Sequence, residues 1–164
     1  MRMGEGRILV AEQDGVHVLK FLGDVRLTLC PSLDQYLNQA TEKKHFKNVL
    51  IDLTDTQGID STSLGILAKL AVKMRKQVAQ VPTLVSTNNN ITRILLSMGF
   101  DKVFTLMNKL DQTLPPCEQL MHYGCSEQEM QEKVLEAHKI LMGLNDKNQE
   151  AFQNLVSALE NQPS

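Results

Sequence analysis

Between Asp52 and Ser63 this 164-residue chain gathers most of the side chains whose types and spacing could do chemistry: Asp52, Asp55, Asp60 and the hydroxyl run Ser61-Thr62-Ser63. Closely spaced carboxylates could hold a cation, and a hydroxyl beside a carboxylate could accept a phosphoryl group. The plainer reading of the aspartates is loop caps and turns, because Asp side chains bond nearby backbone amides. The lysine and helix pattern of a phosphotransfer pocket is not evident around them. A catalytic serine needs a base within reach. The four histidines, His17, His45, His122 and His138, are scattered, and none neighbours Ser61 in sequence. No phosphate-cradling glycine loop and no dinucleotide fingerprint is present. Cys117, His122 and Cys125 lie close together, but their spacing matches no common zinc pattern and a fourth ligand is missing. The residues therefore predict a non-enzyme without cofactor or metal.

The elements that position the hydroxyls are legible. Val49-Leu50-Ile51 is an unbroken apolar run, β-branched at two of three positions, as in a strand buried on both faces at the centre of a sheet. Asp52 to Asp60 reads as a polar loop containing Gly58, and Leu64, Leu67, Ala71, Met74 and Val78 then recur at helical spacing. Asp60 or Ser61 falls at the helix N-cap, where free amides and the positive dipole end favour an added anion. On the same helix Ile66 and Leu70 lie on a flank beside Lys69 and Lys73. Partial exposure there would make an apolar surface rimmed by lysine, suited to a partner with an acidic edge; packing on a neighbouring helix is the alternative.

Asp52-Leu53-Thr54, the gap that follows, and Asp60-Ser61-Thr62-Ser63-Leu64-Gly65 resemble the signature of STAS domains of the anti-sigma factor antagonist type. The resemblance implies that the serine after the loop aspartate, here Ser61, is phosphorylated. It usually has glycine at the position of Ser63, so the chain carries a second hydroxyl and Ser63 is the runner-up. Gly23-Asp24-Val25 resembles the step after the second strand in such domains, near the phosphorylation site, with Arg26 where a second acidic residue often stands. The partner surface implied is Asp24, Asp60, Ser61, Thr62, Ser63, Leu64, Ile66, Lys69, Leu70 and Lys73.

The rest of the chain fits that frame. Ile8–Glu12 and Val16–Leu22 are β-type runs joined through Asp14-Gly15, a strong hairpin signal. Pro31 and Ser32 open a helix to about Lys44. Val81–Val85 reads as a strand, Asn88-Asn89-Asn90 caps a short helix ended by Gly99, and Val103-Phe104 reads as a last strand. The fold expected is α/β: a STAS-like mixed sheet of about four to five strands covered by helices, the resemblance covering roughly residues 7 to 110. Leu114-Pro115-Pro116 marks a boundary. The domains predicted are 1–112, a linker 113–125 and a helical segment 126–162. In the last, Ser126-Glu127-Gln128-Glu129 is a capping box, and Met130, Val134, Ala137, Leu141 and Leu144 make a helical stripe. Gly143 to Asp146 interrupts it, which predicts a helical hairpin or one kinked helix. Its apolar stripe must dock on the sheet domain, on a second copy to form a homodimer, or on a partner.

Composition bounds the function. A net charge of -2, two Tyr, five Phe and no Trp argue against nucleic-acid binding. The segment from Ser126 onward carries a net -4 and the part before it +2. No apolar run approaches the length of a membrane span, and three cysteines without a CxxC pair suit a reducing cytosol. The resemblance implies a cytoplasmic bacterial partner-switching regulator, an anti-sigma factor antagonist. Its implied partners are an anti-sigma factor or GHKL-type serine kinase, and a PP2C-type phosphatase or a response regulator carrying one. The alternative is a structural STAS module, in a lipid-transport ABC assembly or a stress-signalling scaffold, with Ser61 only a cap. A small-ligand or nucleotide sensor using the same loop is a third class.

Overall fold

A computed structural model describes residues 4–162. Residues 1–3 of the expected first domain lie outside that range. β1 (Arg7–Gln13) and β2 (Val16–Val25) form the predicted hairpin, with Asp14 and Gly15 both at positive φ. Two consecutive left-handed residues match the right-handed twist of the flanking strands, which is why Asp-Gly works there. α1 (Cys30–Glu42), β3 (Asn48–Ile59), α2 (Ser61–Gln77), β4 (Thr83–Val85), α3 (Asn89–Ser97) and β5 (Thr105–Met107) follow. β2 to β5 run parallel, and the sheet order is β5-β4-β3-β2-β1-β6, with β6 (Glu118–Gln119) antiparallel to β1. Among the described residues the sheet is mixed, as expected, and has six strands, the sixth being the two-residue β6 at its edge.

Two sequence expectations are corrected here. The stretch from Asp52 to Ile59 is strand, not loop: β3 stays paired with β2 through two register shifts, which absorb the extra residues as bulges. Thr56 helps hold it by donating its hydroxyl to the Phe21 carbonyl at 2.8 Å. The last parallel strand begins after Phe104 rather than at Val103. Phe104 instead stacks on Phe100, centroids 5.2 Å apart, across a 3-10 turn at Phe100–Lys102.

The core lies between one face of the sheet and α1 and α2. Ile8, Val10, Leu19, Phe21, Ile51 and Leu53 meet Leu33, Leu37, Leu64, Leu67 and Met74 there. The segment after β5 travels from one sheet edge to the other to place β6, and Leu120 just beyond it joins the core.

The tail is a hairpin, α4 (Glu127–Met142) and α5 (Asp146–Glu160), and it packs on the chain's own domain. Ser126 caps α4 as the capping-box sequence predicts, its Oγ accepting from the Glu129 amide, but the Glu129 carboxylate takes the Ser126 hydroxyl rather than its amide. Asn145 caps α5, and the buried Asn148 Nδ2 donates to the carbonyls of Leu141 (2.9 Å) and Met98 (2.8 Å), tying α5 to α4 and to the end of α3.

A chain ending at Gly124 is expected to melt cooperatively, because it keeps all six strands and the helices α1 to α3. One ending at Leu114 also loses β6 and the buried Leu120, worth about 1.5–3 kcal/mol for one leucine. Its thermal midpoint should fall clearly below that of the Gly124 chain. Equal midpoints would mean that β6 and Leu120 contribute nothing.

Candidate functional site

Ser61 is the first residue of α2, at the corner where the parallel strands β2 and β3 end. Asp60 is the N-cap: its Oδ1 accepts from the Ser63 amide at 2.9 Å, and its Oδ2 accepts from the Leu27 amide at 2.7 Å. The cap therefore fastens α2 to the loop leaving β2 as well as closing the helix. Asp24 sits at the same corner, with Arg26 Nε donating to it at 2.8 Å. The arginine that replaces an expected acidic residue thus neutralises its neighbour, and this carboxylate beside it is the main reason the Arg26 pKa is raised.

The three hydroxyls differ in access. Ser61 is half-buried, whereas Thr62 is 4% exposed and Ser63 0%. Ser63 Oγ lies 3.5 Å from the Sγ of buried Cys30, whose thiol is pushed up to about 12, mainly by burial, and stays protonated. Ser63 as a second phosphorylation site is thus placed inside the core.

Leu64, Ile66 and Leu70 are also core residues. The flank of α2 that carries Ile66 and Leu70 is not an open surface: it closes on α1 near Leu37 and Asn38. The reason is that α2 is covered on two sides, by α1 and by α4, so a wide face is apolar. Lys69 and Lys73 remain half-buried at the rim. Lys69 Nζ binds Asp34 of α1 at 3.0 Å and Glu136 of α4 at 2.9 Å, and Lys133 of α4 binds the other oxygen of Asp34 at 2.9 Å. Burial alone pushes the Asp34 carboxyl up, but the hydrogen bonds from Lys133 and Lys69 outweigh it and hold the group below its ordinary value. Burial likewise pulls Lys69 down, and its bonds to Glu136 and Asp34 more than restore it, leaving it raised.

His138 of α4 is the residue that sequence reasoning missed. Its Nε2 lies 2.7 Å from Ser61 Oγ, across 77 residues of chain, and its Nδ1 lies 2.7 Å from the Val134 carbonyl. A carbonyl only accepts, so Nδ1 carries a proton and, in the neutral ring, Nε2 accepts from the Ser61 hydroxyl. These are the contacts of a nucleophile and a base, yet the imidazole is 2% exposed and packed edge-on against Phe152. A substrate has no approach to both atoms while α4 is in place. Nothing in sequence flags His138. The stripe Val134, Ala137, Leu141 did flag the face beside it, and Ala137 meets Gly65: a Cβ built on Gly65 would lie 2.5 Å from both the Cβ and the carbonyl oxygen of Ala137. Glycine is required there because two helices touch.

Among the described residues no three His, Cys, Asp or Glu side chains gather as a metal site, and no helix is long and apolar enough to cross a membrane. A model of the STAS domain family matches residues 7–113. The chain belongs to the STAS family. Of solved structures, an anti-sigma factor antagonist from Mycobacterium paratuberculosis superposes with a TM-score of 0.57 at 26% identity, covering 67% of this chain and 92% of that one. The protein TM1081 of Thermotoga maritima, solved by NMR, shares the fold with a TM-score of 0.54 at 18% identity, covering 66% and 83%. A Thermotoga neapolitana relative, assigned as an anti-sigma factor antagonist, is 28% identical over 81 residues, 49% of this chain and 66% of that protein's own length. In this STAS protein the family match stops before α4, so the hairpin that reaches Ser61 is an addition to the matched domain.

Proposed function

We propose that this STAS protein is a cytoplasmic bacterial anti-sigma factor antagonist that works as a non-enzymatic partner switch. With Ser61 free, the corner formed by Asp24, Asp60, Ser61 and the start of α2 binds an anti-sigma factor or a GHKL-type kinase partner. Phosphorylation of Ser61 breaks that complex, and a PP2C-type phosphatase, alone or within a response regulator, restores it. The observation that carries the reading is the position of Ser61: the least buried of three adjacent hydroxyls, on the first residue of a helix, next to a cap that another residue already supplies. A phosphoryl group adds about -1.5 to -2 charges, and a helix N-terminus tolerates them. The fold should survive modification while an apposed partner surface should not. Support also comes from the two relatives named as anti-sigma factor antagonists.

The test is phosphopeptide mapping after reaction with the kinase of the same organism. Ser61→Ala should abolish phosphate incorporation while keeping partner binding. Its cost to stability is expected to be about 1–3 kcal/mol, because Asp60 still caps α2 but the buried His138 Nε2 loses its donor. Label on Ser63 or Thr62 would move the site into what is now core. A second reading, a structural STAS module without a phospho-switch, is favoured by the engagement of the Ser61 hydroxyl with His138. It predicts no phosphate incorporation.

A further inference from the structure

We infer that the α4–α5 hairpin is an intramolecular lid on the Ser61 corner, docked in this structure and lifted before a partner or kinase can reach it. The inference rests on the reading of Ser61 as the regulated residue. Three contacts place α4 over the face of α2 that begins at that serine. His138 takes the Ser61 hydroxyl, Ala137 seats on Gly65, and Glu136 pairs with Lys69. These three residues are consecutive on α4, while their counterparts are spaced by four on α2, along one side of the helix. A protein partner that used this side would need the space α4 fills.

The docking is lighter than the packing of α1 and α2 on the sheet, although Ala137 and Leu141 of α4 do join the hydrophobic core. Of the hairpin's residues only Ala137, His138, Leu141, Asn148 and Val156 are buried, and two of those five are polar. The remaining anchors include Lys133 to the buried Asp34, the more exposed pair of Glu136 with Lys69, and Asn145 to the Met98 carbonyl. Water can replace the exposed Glu136 at little cost and Lys69 keeps the buried Asp34 partnered when Lys133 leaves, whereas burying the leucines and isoleucines under α1 and α2 depends on the sheet. The net charges also oppose one another, -4 from Ser126 onward against +2 before it, which favours return of the lid to its own domain.

Gly65 provides the wedge that tests this. Gly65→Ala puts a methyl where Ala137 now touches, and alanine favours α2 itself as a helix former. The full-length protein is compared with Gly65→Ala and with the double variant Lys133→Ala/His138→Ala, which removes polar anchors without a clash. Amide hydrogen exchange is followed by mass spectrometry. In the unaltered protein, α4 and α5 are expected to exchange at least about tenfold faster than β2 and β3 and with weaker denaturant dependence, the mark of a sub-global opening. Each variant should speed α4 and α5 by a further factor of about ten or more and leave β2 and β3 unchanged.

Access is read separately, by alkylation of Ser61→Cys with iodoacetamide in a Cys117→Ser/Cys125→Ser background. Adding Gly65→Ala should raise that rate by about tenfold. Exchange of α4, α5 and β3 at one common rate with one denaturant dependence would overturn the lid, as would an alkylation rate indifferent to Gly65→Ala. Should Gly65→Ala prevent folding, the double variant decides by the same exchange readout. None of these measurements uses a kinase or partner. Failure of the phosphorylation reading would appear in phosphopeptide mapping, and failure of the lid in exchange and alkylation.

Discussion

Ser61→Asp is expected to weaken binding of the anti-sigma partner by about 100-fold, close to 3 kcal/mol, while leaving the melting temperature nearly level. A charge pressed into an interface without a matching cation is costly, which sets the first effect. The second follows from opposed local terms, alongside the loss of the Ser61 hydroxyl as donor to His138 Nε2. A carboxylate on the first residue of α2 gains about 0.3–1 kcal/mol from the helix N-terminus. It also stands beside Asp60, both of whose carboxylate oxygens already accept backbone amides, and like charges this close repel by a similar amount. Phosphorylated protein, with more charge than the aspartate variant, should bind more weakly still. Calorimetric titration paired with melting curves decides. Lost binding together with a collapsed melting temperature would assign the switch to unfolding, and tighter binding would overturn the antagonist reading.

Asp34→Asn is expected to lower the stability of the full chain by about 2 kcal/mol near neutral pH. That lies below the cost of breaking a fully buried pair, because the Lys69 and Lys133 side chains are each 25% exposed and can turn toward water. The effect carries a pH signature. The folded Asp34 carboxyl is held below its unfolded value, so its contribution is complete above the ordinary carboxylate range and is lost as pH falls through the folded value. The stability difference between the unaltered protein and Asp34→Asn should therefore be flat from about pH 5 to 8 and shrink below about pH 4. Lys69, held above its ordinary value, adds stability that is fully present throughout that window and fades only at strongly alkaline pH. Denaturant melts across this range measure the Asp34 contribution, and melts extended to strongly alkaline pH measure that of Lys69. A difference that grew on acidification would mean that Asp34 is buried neutral.

Much of the architecture was legible in short windows of sequence. Asp14-Gly15 announced the hairpin because two left-handed residues are needed there, Ser126 announced α4 because its hydroxyl satisfies the Glu129 amide, and Val49-Leu50-Ile51 announced the buried strand. The same locality placed Ser61 at the start of α2, one residue after an acceptor that could cap it. Each of these signals involves residues within a few positions of one another, where backbone geometry alone dictates the outcome.

The reverse holds for what surrounds Ser61. The continuation of β3 through polar residues depended on β2 offering a ladder alongside it, and the burial of Ile66 and Leu70 depended on where α1 came to rest. The pairing of Asp34 with Lys69 and Lys133, and of Ser61 with His138, joins residues 35, 99 and 77 positions apart. The sequence by itself determined that a hydroxyl stands at a helix N-terminus in a STAS domain and that an amphipathic hairpin follows. Only the tertiary structure decided that the hairpin lies on that hydroxyl. An apolar stripe specifies that a helix must be covered but not by what, and the fit of Ala137 against Gly65 exists only once both helices are placed.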